Sequence, residues 1–490
     1  MKKRSRSTRM WRQILIMALA TIILAVFGTG IVSAQDAPTA ADITSIKIGI
    51  DTAWVMITGF LVFFMQLGFA ILETGMIRQT SAVNALLENF LEAGVGALCW
   101  WFIGFGLAFG VDNGSGLFGT TLFMPGIDQA NVLFGTLNIS VLTMFFFQFA
   151  FAATASTITT GAMAERTDFI GNLIYTVIVT IFIYPIIVHW VWGGGWLFSR
   201  GFIDFAGSNV VHTVGGVIAL TGAFFLGPRK GKVWGQAIPA HNLGLALIGT
   251  LILWVGWYGF NPGSTLAMVG AAGTVGIVVL NTTLGGGVGS LSAMFFQYFR
   301  TGKWDLPASL NGSLAGLVAV TGGCAFISPV AAIIIGGVAG IVLILWGDVL
   351  ERIKIDDAVG ASSVHLACGV WGIIAIGLFA EPSLIFFAAN PANATWGGLL
   401  VSGGGADLLI TQIIGSIATI AWCGITSAIM FAGLKAVGRL RVNPKAEMDG
   451  NFIDNYEHGQ TIWPDILPLP GDAPVSVAGK VGSTTAAVGD

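Results

Sequence analysis

The sequence predicts an all-α polytopic membrane protein, with eleven transmembrane helices arranged as a 5+5 inverted repeat. Three observations carry that reading. The 490 residues are 55% hydrophobic and only 10% charged, against about 25% charged in a typical globular chain, so charge is too scarce to clothe a water-facing surface. Apolar runs of about 20 residues, each long enough to cross a hydrocarbon core of about 30 Å as a helix, recur between Asp51 and Val437. A gapless internal repeat also begins on opposite sides of the membrane in its two copies. The 69 glycines suit closely packed membrane helices, and the 16 tryptophans suit interfacial anchors.

In chain order, residues 1–34 have a basic start, an apolar stretch from Ile14 to Val32 and a Val32-Ser33-Ala34 end. They read as a signal peptide whose cleavage leaves the mature N-terminus outside; an uncleaved first span is the alternative. Six of the 22 Lys and Arg residues lie in the first twelve positions. The remainder is too thin to form a nucleic-acid-binding surface. Residues 35–50 are a polar extracytoplasmic segment, and residues 51–438 form the membrane domain. Its spans are predicted at 52–74, 83–110, 136–163, 169–192, 209–227, 243–263, 268–298, 308–327, 329–350, 359–380 and 409–437. Repeat one covers about 51–227 and repeat two about 243–380, with span eleven outside both.

Basic residues collect in alternate connections: Arg78, Arg166, Arg229 with Lys230 and Lys232, Arg300, Arg352, and Lys435 onward. By the positive-inside rule these are cytoplasmic, which puts the N-terminus outside and the C-terminus inside a cell membrane. Residues 439–490 are then a cytoplasmic tail, expected to be disordered after 465. Cys99, Cys324, Cys368 and Cys423 each sit in an apolar run without CxxC spacing or a nearby histidine, and read as small core residues.

The repeat is D-x-x-G-x-x-x-V-H-x-x-x-G-V. Asp204, Gly207, Val211, His212, Gly216 and Val217 match Asp357, Gly360, Val364, His365, Gly369 and Val370. An ionisable residue inside an apolar helix is a functional candidate by default. Either histidine alone reads as a buried imidazole bonded to a carbonyl. At symmetry-related positions, however, the two can meet near the midplane, one ring donating to the other. His189, His241 and His458 carry less information.

These residues resemble the ammonium transporter family of Amt, Mep and Rh proteins, closest to the bacterial Amt branch. The matching runs are ETGMIR (73–78), TTGAMAER (159–166), HWVWGGGWL (189–197), DFAGSNVVH (204–212), PAHN (239–242), WYGFNPGS (257–264) and DDAVGASSVH (356–365). They lie in the family's order over roughly residues 45–459. The resemblance implies a homotrimer with one apolar pore per subunit. Carried over by position, it implies an external ammonium site of Trp192, Ser264 and Phe151, and an outer gate of Phe151 and Phe260. Trp257, His212 and His365 would line the pore and relay protons, Asp204 would support the outer site, and Phe147 is a weaker candidate for the vestibule. No enzymatic activity, cofactor or metal is implied. The stretch DDAVGASSVH departs from the many members that have Pro after the paired acids. The tail 447–459 resembles the family's regulatory tail loosely, and the resemblance implies a PII-type cytoplasmic signal protein as a partner.

The residue types suit such a task on physical grounds. A cation in a vestibule of Trp and Phe gains about 0.5–2 kcal/mol from the rings, and a serine hydroxyl accepts one N–H bond. Moving the bare charge through an apolar interior costs on the order of tens of kcal/mol. Deprotonating an amine of pKa about 10.4 near pH 7 costs only about 5 kcal/mol. The expected function is therefore uptake of ammonium nitrogen, with ammonia conducted and its proton relayed by the twin histidines. An ammonium sensor with little flux, or a passive ammonia or carbon dioxide channel, are the alternatives.

Overall fold

The computed structural model describes Met17 and residues 39–385, 396–447 and 452–462. The expected signal peptide, apart from Met17, and the stretch after residue 465 lie outside the described residues. The chain falls into two compact units, residues 1–49 and 50–490, and the helices that surround the candidate site belong to the second.

The helices are α1 (Ala40–Met76), α2 (Gln79–Phe109), α3 (Val141–Met163), α4 (Phe169–Arg200), α5 (Ser208–Leu226), α6 (Leu243–Gly263), α7 (Ala272–Thr301), α8 (Leu306–Thr321), α9 (Pro329–Ile353), α10 (Ser362–Phe379) and α11 (Ala406–Ala436). Each predicted span has its counterpart. Polar caps set many of the starts: Ser140, Asp168, Asn242, Asp305 and Ser328 each accept a backbone N–H from the first turn of the helix that follows.

Among the described residues ten helices are long and apolar enough to cross a membrane, and α8 is the short one. Its 16 residues make about 24 Å at 1.5 Å per residue. The span predicted at 308–327 therefore stops early, at Thr321. It stops where the start of α5 and the chain before it take over its backbone groups: Gly322 N–H donates to Ser208 Oγ at 2.7 Å, and Phe205 N–H donates to the Gly322 carbonyl at 2.9 Å. From Gly312 onward every residue of α8 is buried, so its neighbours supply the missing thickness. The first helix departs in the other direction, beginning at Ala40 instead of 52. Cys324, Cys368 and Cys423 are buried as predicted, whereas Cys99 is only partly so.

The outside of the body is apolar. Phe90, Leu98, Phe224, Phe299, Ile417 and Ile429 are all more than half exposed, while Glu73, Glu88, Glu92, Asn172 and Gln412 are buried. That polarity inverts the one water imposes and matches a lipid surround, where backbone and polar groups must be satisfied within the protein.

At one end, charged residues tie the connections between spans together. Arg229 grips Asp356 through two parallel N–H bonds, Nε to Oδ2 and Nη2 to Oδ1, both 2.9 Å. Its Nη1 reaches Glu165 at 2.9 Å, and Arg78 also pairs with Glu165. Arg166, fully buried, donates to the carbonyls of Ala164, Gly227 and Asp356. The tail returns to the same end: Val442 N–H bonds the Arg166 carbonyl. In the short helix α12 (Ile453–His458), Asp454 accepts the Val83 and Asn84 N–H groups at 2.9 Å each.

Burial pushes the Asp356 carboxyl up, but the Arg229 guanidinium bonded to it and the nearby Arg166 charge overcome this and hold it at about 2. A carboxyl held below its unfolded value, about 3.9, stabilises the fold above that value and loses its contribution as the pH falls through the folded one. Removing one member of a buried pair costs about 3–5 kcal/mol. Asp356→Ala is accordingly expected to lower the melting temperature of the detergent-purified protein at neutral pH. Its deficit relative to wild type should shrink as the pH approaches 2, and a deficit unchanged by acid would contradict the ion-pair assignment.

Candidate functional site

The two copies of the repeat build the same local structure. Asp204 sits just before α5, and its carboxylate accepts four backbone N–H groups: Gly207 and Ser208 at Oδ1, Asn209 and Val210 at Oδ2, all between 2.8 and 3.0 Å. Asp357 stands in the same place before α10 and accepts the Ser363 N–H at 3.2 Å. Gly207 and Gly360 both have positive φ, 117° and 86°, which an L side chain resists. Each is followed by a wide π turn, Ser208–Thr213 in α5 and Ser362–Ala367 in α10, and each π turn carries the histidine. Apolar periodicity cannot distinguish a π turn from an α turn, so the sequence did not forecast it.

The glycines four residues after the histidines let the helices touch. A Cβ on Gly216 would lie 2.3 Å from the Leu366 nitrogen, and one on Gly369 would lie 2.6 Å from the Ser208 carbonyl oxygen. At this crossing His212 Nδ1 and His365 Nδ1 are 3.2 Å apart, with ring centroids 5.1 Å apart and planes inclined by 26°. One ring donates and the other accepts, so at least one must carry its proton on Nδ1. His212 Nε2 is buried without a partner.

Aromatic rings continue from the pair. His212 stacks on Trp257 and on Phe260, both at 5.4 Å, and Trp257 Nε1–H donates to Thr321 Oγ1 at 2.9 Å. Phe260 lies 4.2 Å from Phe151, which meets Trp192 edge-on at 6.1 Å and Phe147 at 4.8 Å. Trp192 donates its indole N–H to the Asp204 carbonyl at 2.7 Å. Ser264 gives its hydroxyl proton to the Phe260 carbonyl at 2.7 Å, leaving its oxygen lone pairs as acceptors.

Two cavities flank the stack. A chamber of about 540 Å³ on the Trp192 side is lined by Phe147, Phe151, Trp192, Asp204 and Ser264, among others. On the other side a slot of about 20 Å³ is lined by His365, Trp257, Leu314, Val364 and Glu73. Phe151, Phe260 and His212 are completely buried, and His212 lines neither space. The sequence-predicted residues are thus brought together in one column, Phe147 included.

Two features escaped the sequence reading. Glu73 lies in the ETGMIR run but gave no sign of facing the slot. His189 proves to be a strut below Trp192, its ring nitrogens 3.0 Å from the Ala108 carbonyl and 2.9 Å from Asp112. The ring's hydrogen bond holds the Asp112 carboxyl below the usual range. Among the described residues no cluster of His, Cys, Asp or Glu is placed to hold a metal ion.

Asp204→Ala would strand four buried N–H groups, each costing about 1–3 kcal/mol when unsatisfied. A clear fall in melting temperature is expected, with Asp204→Asn retaining part of the stability because it keeps one acceptor oxygen. A wild-type melting curve for Asp204→Ala would refute the capping role.

The model of the Ammonium Transporter Family matches residues 53–462. The chain is 40% identical over 446 residues to ammonium transporter Amt2 of Archaeoglobus fulgidus, covering 88% of this chain and 92% of that one. It is 36% identical to ammonium transporter 3 of Dictyostelium discoideum, covering 86% and 95%. Among solved structures, a sensor Amt protein superimposes with a TM-score of 0.75 at 37% identity, covering 82% of this chain and 97% of that one. Mep2 of Candida albicans gives 0.75 at 28% identity, covering 86% and 93%.

Proposed function

The chain belongs to the ammonium transporter family, and from that premise we propose that it binds ammonium in the Trp192 chamber and conducts ammonia past the ring column. In this reading the proton travels separately, over His212 and His365. The supporting observation is the pair of imidazoles in direct contact inside an aromatic column with a cavity at each end.

Ammonium has four N–H donors and a charge. Trp192 and Phe151 offer ring faces to the charge, and Ser264 offers a lone pair whose direction is fixed by its bond to the Phe260 carbonyl. The fully buried rings of Phe151 and Phe260 offer a charge no water, so the ion sheds a proton before passing between them. An N–H bond of the ion breaks and the proton passes to an imidazole lone pair; the paired rings can hand it on because either can donate or accept. An alkali ion has no proton to give up and is held back. The Trp192 chamber then faces outside and the Arg229 end faces the cytoplasm. Assembly as a homotrimer and control by a PII-type protein at the tail belong to the same proposal.

The solved relative described as a sensor favours a second reading, in which the ion is bound and reported with little flux. Currents recorded from reconstituted protein after an ammonium pulse separate the two. An ammonium-evoked current is expected, falling by a factor on the order of 100 in His212→Ala, the scale of a lost proton-transfer group. Trp192→Leu should weaken the apparent affinity, and His365→Glu should keep partial current with poorer discrimination. Flux without current would indicate passive conduction, and no flux at all would support the sensor.

A further inference from the structure

We propose that Glu73 forms an inner cation site, a carboxyl that returns a proton to the ammonia leaving His365 and holds the resulting ammonium ion before release. The proposal rests on the transport reading above and adds a residue and a step to it.

Glu73 lies near the end of α1, 2% exposed, and lines the slot together with His365. Two donors hold it, Asn89 Nδ2 to Oε2 at 2.9 Å and Thr160 Oγ1 to Oε1 at 2.7 Å. Among the described residues it has no basic partner. A buried carboxylate without a counter-charge is costly, so either a proton or a cation must accompany it.

The surroundings are fitted to both. Thr160 Oγ1 also lies 2.6 Å from the Thr157 carbonyl, yet a hydroxyl has one proton to give. With Glu73 ionised, Thr160 donates to it. With Glu73 protonated, Thr160 turns to Thr157 and accepts from the acid. Neither state leaves an orphaned group at that contact, which is what a residue that cycles its proton requires. Asn89 commits one amide hydrogen to Glu73 and the other to the Ala85 carbonyl, leaving its Oδ1 buried and unpartnered. Two further buried carboxyls, Glu88 and Glu92 on α2, act on Glu73 electrostatically, and this surplus of acceptors invites a small cation with several N–H donors. The slot, at about 20 Å³, has room for one molecule of water's size.

The step balances with one proton per ammonia. The carboxyl O–H bond breaks as an N–H bond forms on the nitrogen lone pair, giving ammonium beside carboxylate. After the ion leaves, an imidazolium N–H bond in the relay breaks and its proton restores the acid. The histidines thus pass the proton around the rings, and Glu73 reunites it with its carrier.

The test uses the full chain in proteoliposomes and in lipid films. Ammonium-minus-sodium infrared difference spectra of the wild type should show loss of a carboxylic-acid C=O band, and that band should be missing from Glu73→Gln. Ammonium-evoked current should fall at least tenfold in Glu73→Gln and lose its dependence on lumenal pH, with Glu73→Asp regaining part of both. Thr160→Val, which removes the hydroxyl without touching charge, should shift the pH profile. A Glu73→Gln protein with wild-type current and pH profile overturns the proposal, and so does a wild-type spectrum with no carboxyl change. That spectrum needs no variant to fold. Absence of current in the wild type would instead sink the transport reading, while the infrared band would still report on Glu73.

Discussion

Everything in the column depends on how closely α5 and α10 cross. Imidazoles reach from their backbones by only a few ångströms, so two of them bond directly only where their helices nearly touch. Gly216 and Gly369 remove the side chains that would hold the helices apart. Asp204 and Asp357 gather the backbone N–H groups that the start of each helix leaves free. The π turns then present each histidine at the crossing. Acid, positive-φ glycine, histidine and close-contact glycine form one device, and the inverted repeat supplies it twice. Their spacing is the same in both copies.

A second constraint comes from the solvent. In water a buried charge is an expense to be avoided; in lipid, the interior of the bundle is where polar groups are least costly, because there they find each other. Hence α3 is buried over nearly its whole length, α8 spans short of the full thickness with its second half enclosed by neighbouring helices, and Arg166 donates only to carbonyl oxygens. Short, polar or irregular pieces are tolerated in the centre, while the long apolar helices α7, α9 and α11 take the rim.

Much of this was legible beforehand. Span positions follow from apolar run length, which the bilayer dictates directly, and the histidine pair follows from a repeat whose two copies run in opposite senses. What the residues did not disclose is local hydrogen bonding. The π turns, the early end of α8 at Gly322 and the start of α1 at Ala40 depend on partners distant in sequence. The role of His189 was hidden for the same reason, since Asp112 and Ala108 belong to a different segment. Glu73 falls at the end of the predicted span 52–74 and reads only as part of a matching run; its place on the slot depends on packing.

The two spaces either side of the rings differ more than twentyfold in size. A roomy antechamber refills from bulk far faster than a niche for a single guest can be vacated. In the proposed cycle throughput is then metered at the narrow end, as at a turnstile: with the niche occupied, crowding the antechamber further would bring no quicker passage.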